Sequence, residues 1–137
     1  KSTYKRVNHI KYFKLLGGEM AVKEPKRVAL SLLFDNFTLD EILLMDNSCI
    51  KAFKINEIKM FHTMWQKALN TPLTSSVGRL FDAIASFADI LHTQSYEGET
   101  GLQIEQNYDA LITEFYSYKI TNEKFKIQLP LSLFIAN

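Results

Sequence analysis

Two short stretches of this chain carry residue types and spacings that could do chemistry. The first is Leu16-Gly17-Gly18-Glu19-Met20-Ala21-Val22-Lys23-Glu24-Pro25. Paired glycines reach positive φ and let a backbone approach a ligand closely, and two amides without side chains can cradle a phosphate or ribose. A plain turn between a strand and a helix uses the same residues, and composition alone favours that reading. The second stretch is Leu73-Thr74-Ser75-Ser76-Val77-Gly78-Arg79-Leu80-Phe81-Asp82-Ala83. Hydroxyls just before a helix serve as N-caps, and the free amides of its first turn favour an anion. Gly78 in that turn costs about 1 kcal/mol against Ala, which points to close backbone contact there. Arg79 and Asp82, three apart, share a helix face and can pair. An N-cap followed by a surface ion pair accounts for the same residues without a ligand.

Other chemistry is thin. His9, His62 and His92 are far apart, with no HExxH or comparable metal spacing, so the expectation is no metal site in these residues. His62 lies beside an apolar helical stripe and reads as a packed or surface histidine. Cys49 is alone, which excludes an intrachain disulfide or CxxC knuckle and fits a reducing, cytoplasmic compartment. There is no GxSxG elbow, Walker A loop or GxGxxG.

The elements that must position these residues read as mostly helical. Lys5 to Leu16 alternates loosely and suggests an extended segment that Gly17-Gly18 interrupts. Pro25 suits a first helical turn, with Val28, Leu32 and Leu33 at helical spacing up to Phe34. Thr38, followed by Asp40 and Glu41, reads as an N-cap opening a short helix through Met45. Ile55, Ile58, Phe61, Trp65, Ala68 and Leu69 form one stripe of a helix that Asn70-Thr71-Pro72 stops. Ser75 or Ser76 caps a helix running to about His92, its buried face expected at Leu80, Phe81, Ile84, Ala85, Ala88 and Leu91. Gly98 to Thr113 predicts a further helix. The period then changes, and Phe115–Ile120 and Phe125–Leu129 read as two strands around a turn at Thr121-Asn122-Glu123-Lys124. The fold class expected is mainly α with a minor β part: a helical, bundle-like segment with a short hairpin, in one unit spanning residues 1–137.

Composition bounds the partners. The chain has 137 residues, 47% hydrophobic and 23% charged, which suits one globular unit with a core. Sixteen basic against fifteen acidic residues leave a net charge of +1, too small for a nucleic-acid field. The cluster Lys1, Lys5, Arg6, Lys11 and Lys14 reads as a solvated face. Apolar runs are far shorter than a membrane span, and no apolar h-region marks a signal peptide. The chain starts without Met and ends on Leu133-Phe134-Ile135-Ala136-Asn137, so both ends read as cut, and apolar surface exposed by the cut suggests a possible dimer.

Taken in order, the motifs resemble the C-terminal region of HypF-type carbamoyltransferases, which serve [NiFe]-hydrogenase maturation. Gly17-Gly18 precedes Glu24-Pro25-Lys26-Arg27. Thr74 to Ala83 matches a Thr-Ser-Ser-x-Gly-Arg-Leu-Phe-Asp-Ala helix. Tyr96-Glu97-Gly98-Glu99 follows, with Leu102 and Glu105 downstream. The resemblance spans Tyr4 to about Glu105, and from Asn107 no motif matches. It implies part of an actin-like ATPase domain in a longer enzyme. That enzyme uses carbamoyl phosphate and ATP, and passes a carbamoyl group to the C-terminal cysteine of a HypE-like acceptor. It further implies Gly17, Gly18 and Glu19 at the nucleotide. Ser75, Ser76 and Arg79 then lie near the phosphate or carbamoyl end, with Asp82 orienting Arg79. The family's metal-binding histidine motif and its later glycine-rich adenosine segment are not in these residues, so the fragment alone is expected to be inactive. Position 19, often Asp in relatives, is Glu here. The alternatives are a related O- or tRNA-carbamoyltransferase fragment, or a helical interaction module without catalysis. The module predicts that Gly17-Gly18 and Ser75-Ser76 face bulk solvent and do not converge on a cleft.

Overall fold

The computed structural model describes residues 9–115 and the backbone of two later strands. Its organising element is the helix that Pro25 opens, α2 (Pro25–Phe34); the ring fixes φ and the missing N–H falls where no intrahelical partner exists. Ahead of it lie a short strand, β1 (Phe13–Lys14), and one helical turn, α1 (Met20–Lys23). After it come α3 (Leu39–Leu43), α4 (Ser48–Lys51), α5 (Ile55–Gln66), β2 (Leu73–Thr74), α6 (Val77–Phe87) and α7 (Glu99–Gln106). A hairpin of β3 (Tyr118–Thr121) and β4 (Lys124–Ile127) closes the described chain, antiparallel with Thr121 opposite Lys124. The fold is therefore mainly helical with a short antiparallel hairpin, as the patterning indicates.

Helix α2 contacts β1 and every helix from α1 to α6. Leu30, Leu33 and Phe34 pack with Leu16, Ile42, Ile50, Ile58 and Phe61. Val28 and Ala29 pack with Phe13, Ala21, Cys49 and Ala83. The second cluster is made largely of small side chains, which lets α6 lie close along α2. Ser31 Oγ donates to the Lys14 carbonyl at 2.6 Å, tying β1 to α2.

Local chemistry explains most boundaries. At Thr38 both halves of a capping box form: Thr38 Oγ1 accepts from the Glu41 amide and Glu41 accepts from the Thr38 amide at 2.7 Å. Asn47 caps α4 through the Cys49 amide at 2.9 Å; neither α4 nor α1 stands out in the sequence, each being a single turn. Helix α5 stops at Gln66, four residues before the expected Asn70, because Ala68 and Asn70 adopt positive φ. Helix α6 ends at Phe87 rather than His92, with Asp89 left-handed and the Ile90 amide returning to the Ala85 carbonyl. Helix α7 ends at Gln106 rather than Thr113; Asp109 Oδ1 takes the Leu111 amide, a local bond that competes with the helix. The extended segment expected over Lys5–Leu16 reduces to β1 within the described residues; residues 1–8 and 128–137 lie outside them. No helix among the described residues is long and apolar enough to cross a membrane.

The stripe expected on α6 is displaced. Asp82, Ala83, Ala85 and Ser86 are buried, whereas Phe81 is exposed and Ile84 only half-buried. Small residues face α2 because proximity to that helix leaves no room for large ones. On α5, Ile58 and Phe61 are buried as expected, but Ile55 is exposed, and Leu69, which falls beyond the end of the helix, is exposed as well.

Candidate functional site

The two sequence stretches lie at opposite ends of one ribbon. Strand β1 pairs antiparallel with β2, Phe13 opposite Thr74 and Lys14 opposite Leu73. The pairing continues through Leu15 N–H to the Pro72 carbonyl, 2.8 Å, and Gly17 N–H to the Asn70 carbonyl, 3.0 Å. Gly17 and Gly18 lie at one end of the ribbon, and Ser75 and Ser76 leave it at the other. At most about 20 Å of extended chain separates the two ends.

At the first end, Gly17, Gly18 and Glu19 line an open cleft of about 720 Å³ together with Leu15, Met20, Val22, Lys23, Asn70 and Pro72. Both glycines have positive φ, +82° and +56°. Their amides are engaged inside the chain, Gly17 with Asn70 and Gly18 with the Leu15 carbonyl at 3.1 Å. The expected cradle of two free amides is therefore not what this turn presents. The glycines are needed for backbone sign and for close approach: a Cβ on Gly17 would meet Arg27 Nη1 at 2.5 Å, and one on Gly18 would meet Asn70 Oδ1 at 2.9 Å. Arg27 itself pairs with Glu24 and lies over the Phe61 ring, 4.7 Å from its centroid. Of Gly17, Gly18 and Glu19, only Glu19 is exposed, on the cleft wall.

At the second end, Ser76 is the N-cap of α6, its Oγ accepting from the Arg79 amide at 3.4 Å while its own amide donates to Thr74 Oγ1 at 3.1 Å. Gly78 does not have positive φ, and an added Cβ would meet only Ser76 Oγ, at an ordinary 3.6 Å. Nothing among the described residues requires a glycine there. Arg79 and Asp82 pair as their spacing suggests, Nη1 to Oδ2 at 2.6 Å, but not at the surface: their side chains are 12% and 1% exposed. Thr100, on α7, donates its hydroxyl to Asp82 Oδ1 at 2.6 Å. Burial lifts the Asp82 carboxyl above its usual range; the Thr100 hydrogen bond and the Arg79 charge act against that, and Glu97 adds to it. Thr100 was not legible from motif or spacing, because its partner lies on a different helix. Ser75, Ser76, Arg79 and Asp82 are not among the residues lining the Gly17-Gly18 cleft.

A third arrangement has the look of catalysis without its access. Ser86 Oγ and His92 Nδ1 are 2.8 Å apart, and His92 Nε2 lies 3.0 Å from Asp89 Oδ1. The residue types are those of a hydrolase triad, but the ring nitrogens are reversed, with serine at Nδ1 and the carboxylate at Nε2, and Ser86 is wholly buried within α6. These bonds secure the end of α6. His62 packs edge-on against Phe34 at 5.1 Å, as its place beside the apolar stripe suggests. No group of three potential metal ligands occurs among the described residues. Cys49 is buried and its thiol is pushed up to about 12, chiefly by desolvation, so it is not a nucleophile at neutral pH.

Residues 1–136 match the family model described as "Carbamoyltransferase, Kae1-like Domain, second subdomain". The chain is 34% identical over 139 residues to the carbamoyltransferase HypF of Synechocystis sp., covering 91% of this chain and 18% of that protein. A probable carbamoyltransferase HypF of Methanocaldococcus jannaschii is 30% identical over 73% of the chain and 13% of its own length. A full-length HypF crystallised in phosphate- and nucleotide-bound form superposes with a TM-score of 0.77 at 28% identity, over 91% of this chain and 16% of that one. The chain thus spans less than a fifth of the length of these relatives. With its motifs in order along the β1–β2 ribbon and α6, and with a family match over almost all of its residues, this chain belongs to the HypF-type carbamoyltransferase family, in its Kae1-like domain.

Proposed function

We propose that this chain is one wall of the transfer site in a carbamoyltransferase that uses carbamoyl phosphate and ATP to carbamoylate the C-terminal cysteine of a HypE-like acceptor. The observation that carries the reading is the first turn of α6. Ser76 caps it, Gly78 leaves it open without an internal reason, and Arg79 is held there by a buried carboxylate. A helix N-terminus with a fixed guanidinium suits the oxygens of a phosphoryl or carbamoyl group, and the fork of Arg binds two of them at once. Gly17, Gly18 and Glu19 supply a cleft at the other end of the ribbon, for the nucleoside. The relative crystallised with phosphate and nucleotide supports a reading in which both ligands are handled by the longer protein. We place this enzyme in the cytoplasm and its domain in the actin-like ATPase class, with the metal site in another part of the longer chain.

The test is carbamoylation of a HypE-like acceptor by the full-length enzyme with Arg79→Ala. Loss of one charge-stabilising donor lowers the rate about 100- to 1000-fold. Removing one partner of a buried pair also destabilises, by about 3–5 kcal/mol, so Arg79→Lys, which keeps the charge and loses the fork, is assayed beside it at matched thermal stability. Rates within threefold of wild type for both variants would leave a structural ion pair in an interaction module without catalysis.

A further inference from the structure

Among the described residues Asp82 is the one charged side chain in the core. A carboxylate in that position is tolerated only when its oxygens have partners. Oδ2 faces Arg79 Nη1 at 2.6 Å, yet the approach is ionic and off the hydrogen-bonding direction. Oδ1 is different: it accepts the Thr100 hydroxyl at 2.6 Å, from a side chain that is itself 2% exposed. Thr100 is thus the hydrogen-bond donor that this carboxylate has among the described residues. It sits in the first turn of α7, eighteen residues downstream, and helices α6 and α7 are in contact.

Resting on the reading above, we propose that Thr100 is a positioning residue of the transfer site: its hydroxyl fixes the Asp82 carboxylate, and the carboxylate fixes Arg79 on the first turn of α6. Thr100 touches no substrate in this arrangement. It acts through two atoms, by keeping Oδ1 occupied so that Oδ2 remains charged and aimed at the guanidinium. Without the hydroxyl, Oδ1 is buried with no donor. The ionised form is then less favoured, and Asp82 takes up a proton at higher pH. A neutral acid no longer draws Arg79, which is free to turn toward water. The charges acting on Asp82 are Arg79, which holds it ionised, and Glu97, just ahead of α7, which opposes ionisation. Neither replaces a donor to Oδ1.

The experiment uses the full-length enzyme with Thr100→Val, which removes the hydroxyl at nearly constant volume, Thr100→Ser, which keeps it, and Arg79→Ala. Transfer to the acceptor is measured as kcat and KM from mildly acidic to mildly alkaline pH, with thermal stability of each variant. T100V lowers kcat about 10- to 100-fold near neutrality, the scale of a misplaced binding group, and its acid limb moves to higher pH so that activity recovers as pH rises. T100S stays near wild type in both. If valine does not fold, Thr100→Ala takes its place with the same expected split. A merely structural role lowers stability and leaves the acid limb where it is; kcat within threefold of wild type with an unmoved limb, in an enzyme that Arg79→Ala inactivates, overturns the proposal alone. Arg79→Ala within threefold of wild type overturns it together with the function on which it rests.

Discussion

At Gly17, φ is +82° and a Cβ would come within 2.5 Å of Arg27 Nη1. Gly17→Ala therefore both adopts a strained backbone, by roughly 1–2 kcal/mol, and displaces an arginine held by Glu24 and Phe61. Urea denaturation of the chain gives a lower midpoint for this variant. Gly78→Ala gives the opposite result, a gain of up to about 1 kcal/mol, since its Cβ has space and alanine suits a helix. In the full-length enzyme the same Gly78→Ala variant loses activity while gaining stability, and a variant that gains both would remove the argument that Gly78 makes room for a ligand. Cys49 offers a pH test. Its folded thiol titrates near 12, above its unfolded value near 9.0, because burial disfavours the thiolate more than Ser86 and Lys26 favour it. Between about pH 9 and 12 the unfolded chain releases this proton and the folded chain does not, so stability falls across that window. The fall is shallower in Cys49→Ala, read as the difference between the two stability–pH curves. Alkylation of the native thiol at neutral pH is correspondingly slow until the chain unfolds.

Helices α2, α3 and α6 take their starts from local chemistry, whereas α5 and α6 end where the chain turns left-handed. Thr38 and Glu41 form a complete capping box in an exposed position, so Thr38→Ala lowers stability by about 0.5–2 kcal/mol, measurable by thermal denaturation; an unchanged midpoint would mean that α3 is held by Ile42 alone. Starts were legible at Pro25, Thr38 and Ser76 because a cap involves residues within three or four positions. Ends were not. Asn70 marks the region where α5 stops, as its type suggests, but the left-handed turn already at Ala68 has no such signal, and Asp89 is one of several polar residues that could have turned the chain after α6. These turns exist because the chain must return: residues 70–74 to lie beside β1, and Gln94 to reach α1, where its amide donates to the Lys23 carbonyl at 2.9 Å and its side chain to the Val22 carbonyl.

At the scale of the whole molecule, the core surrounds α2 and leaves apolar side chains outside it. Val77 and Phe81 are exposed on one face of α6, with Leu73 just before it and Leu102 on α7; Ile55 and Met60 are exposed on α5, and Leu69 just after it. Residues four apart on a helix share a face, so Val77 and Phe81 form one patch. A chain that spans under a fifth of its relatives' length is expected to bury such patches against the rest of the longer protein. Alone in solution it associates with increasing concentration, as sedimentation would show, and Val77→Ser with Phe81→Ser weakens that association. A monomer over the whole accessible concentration range, in the unsubstituted chain, would show that these side chains are covered some other way.

The sequence by itself determined what is local. Period set the helical class and the final hairpin, caps set the helix starts, and the Ser-Ser-x-Gly-Arg-Leu-Phe-Asp string marked the family and brought Arg79 and Asp82 onto one turn. Tertiary structure decided which face of α6 is buried: Ala85 is buried as periodicity indicates, but the closeness of α2 adds Asp82, Ala83 and Ser86 and leaves the larger Phe81 outside. It decided that the Gly17 and Gly18 amides bond within the chain, since their acceptors include Asn70, fifty-odd residues away. It also decided that the Arg79–Asp82 pair is buried, and that Thr100 completes it. Spacing along one helix fixes which side chains are neighbours, but burial depends on what packs above them, and that is supplied by segments whose distance in sequence carries no periodic signal.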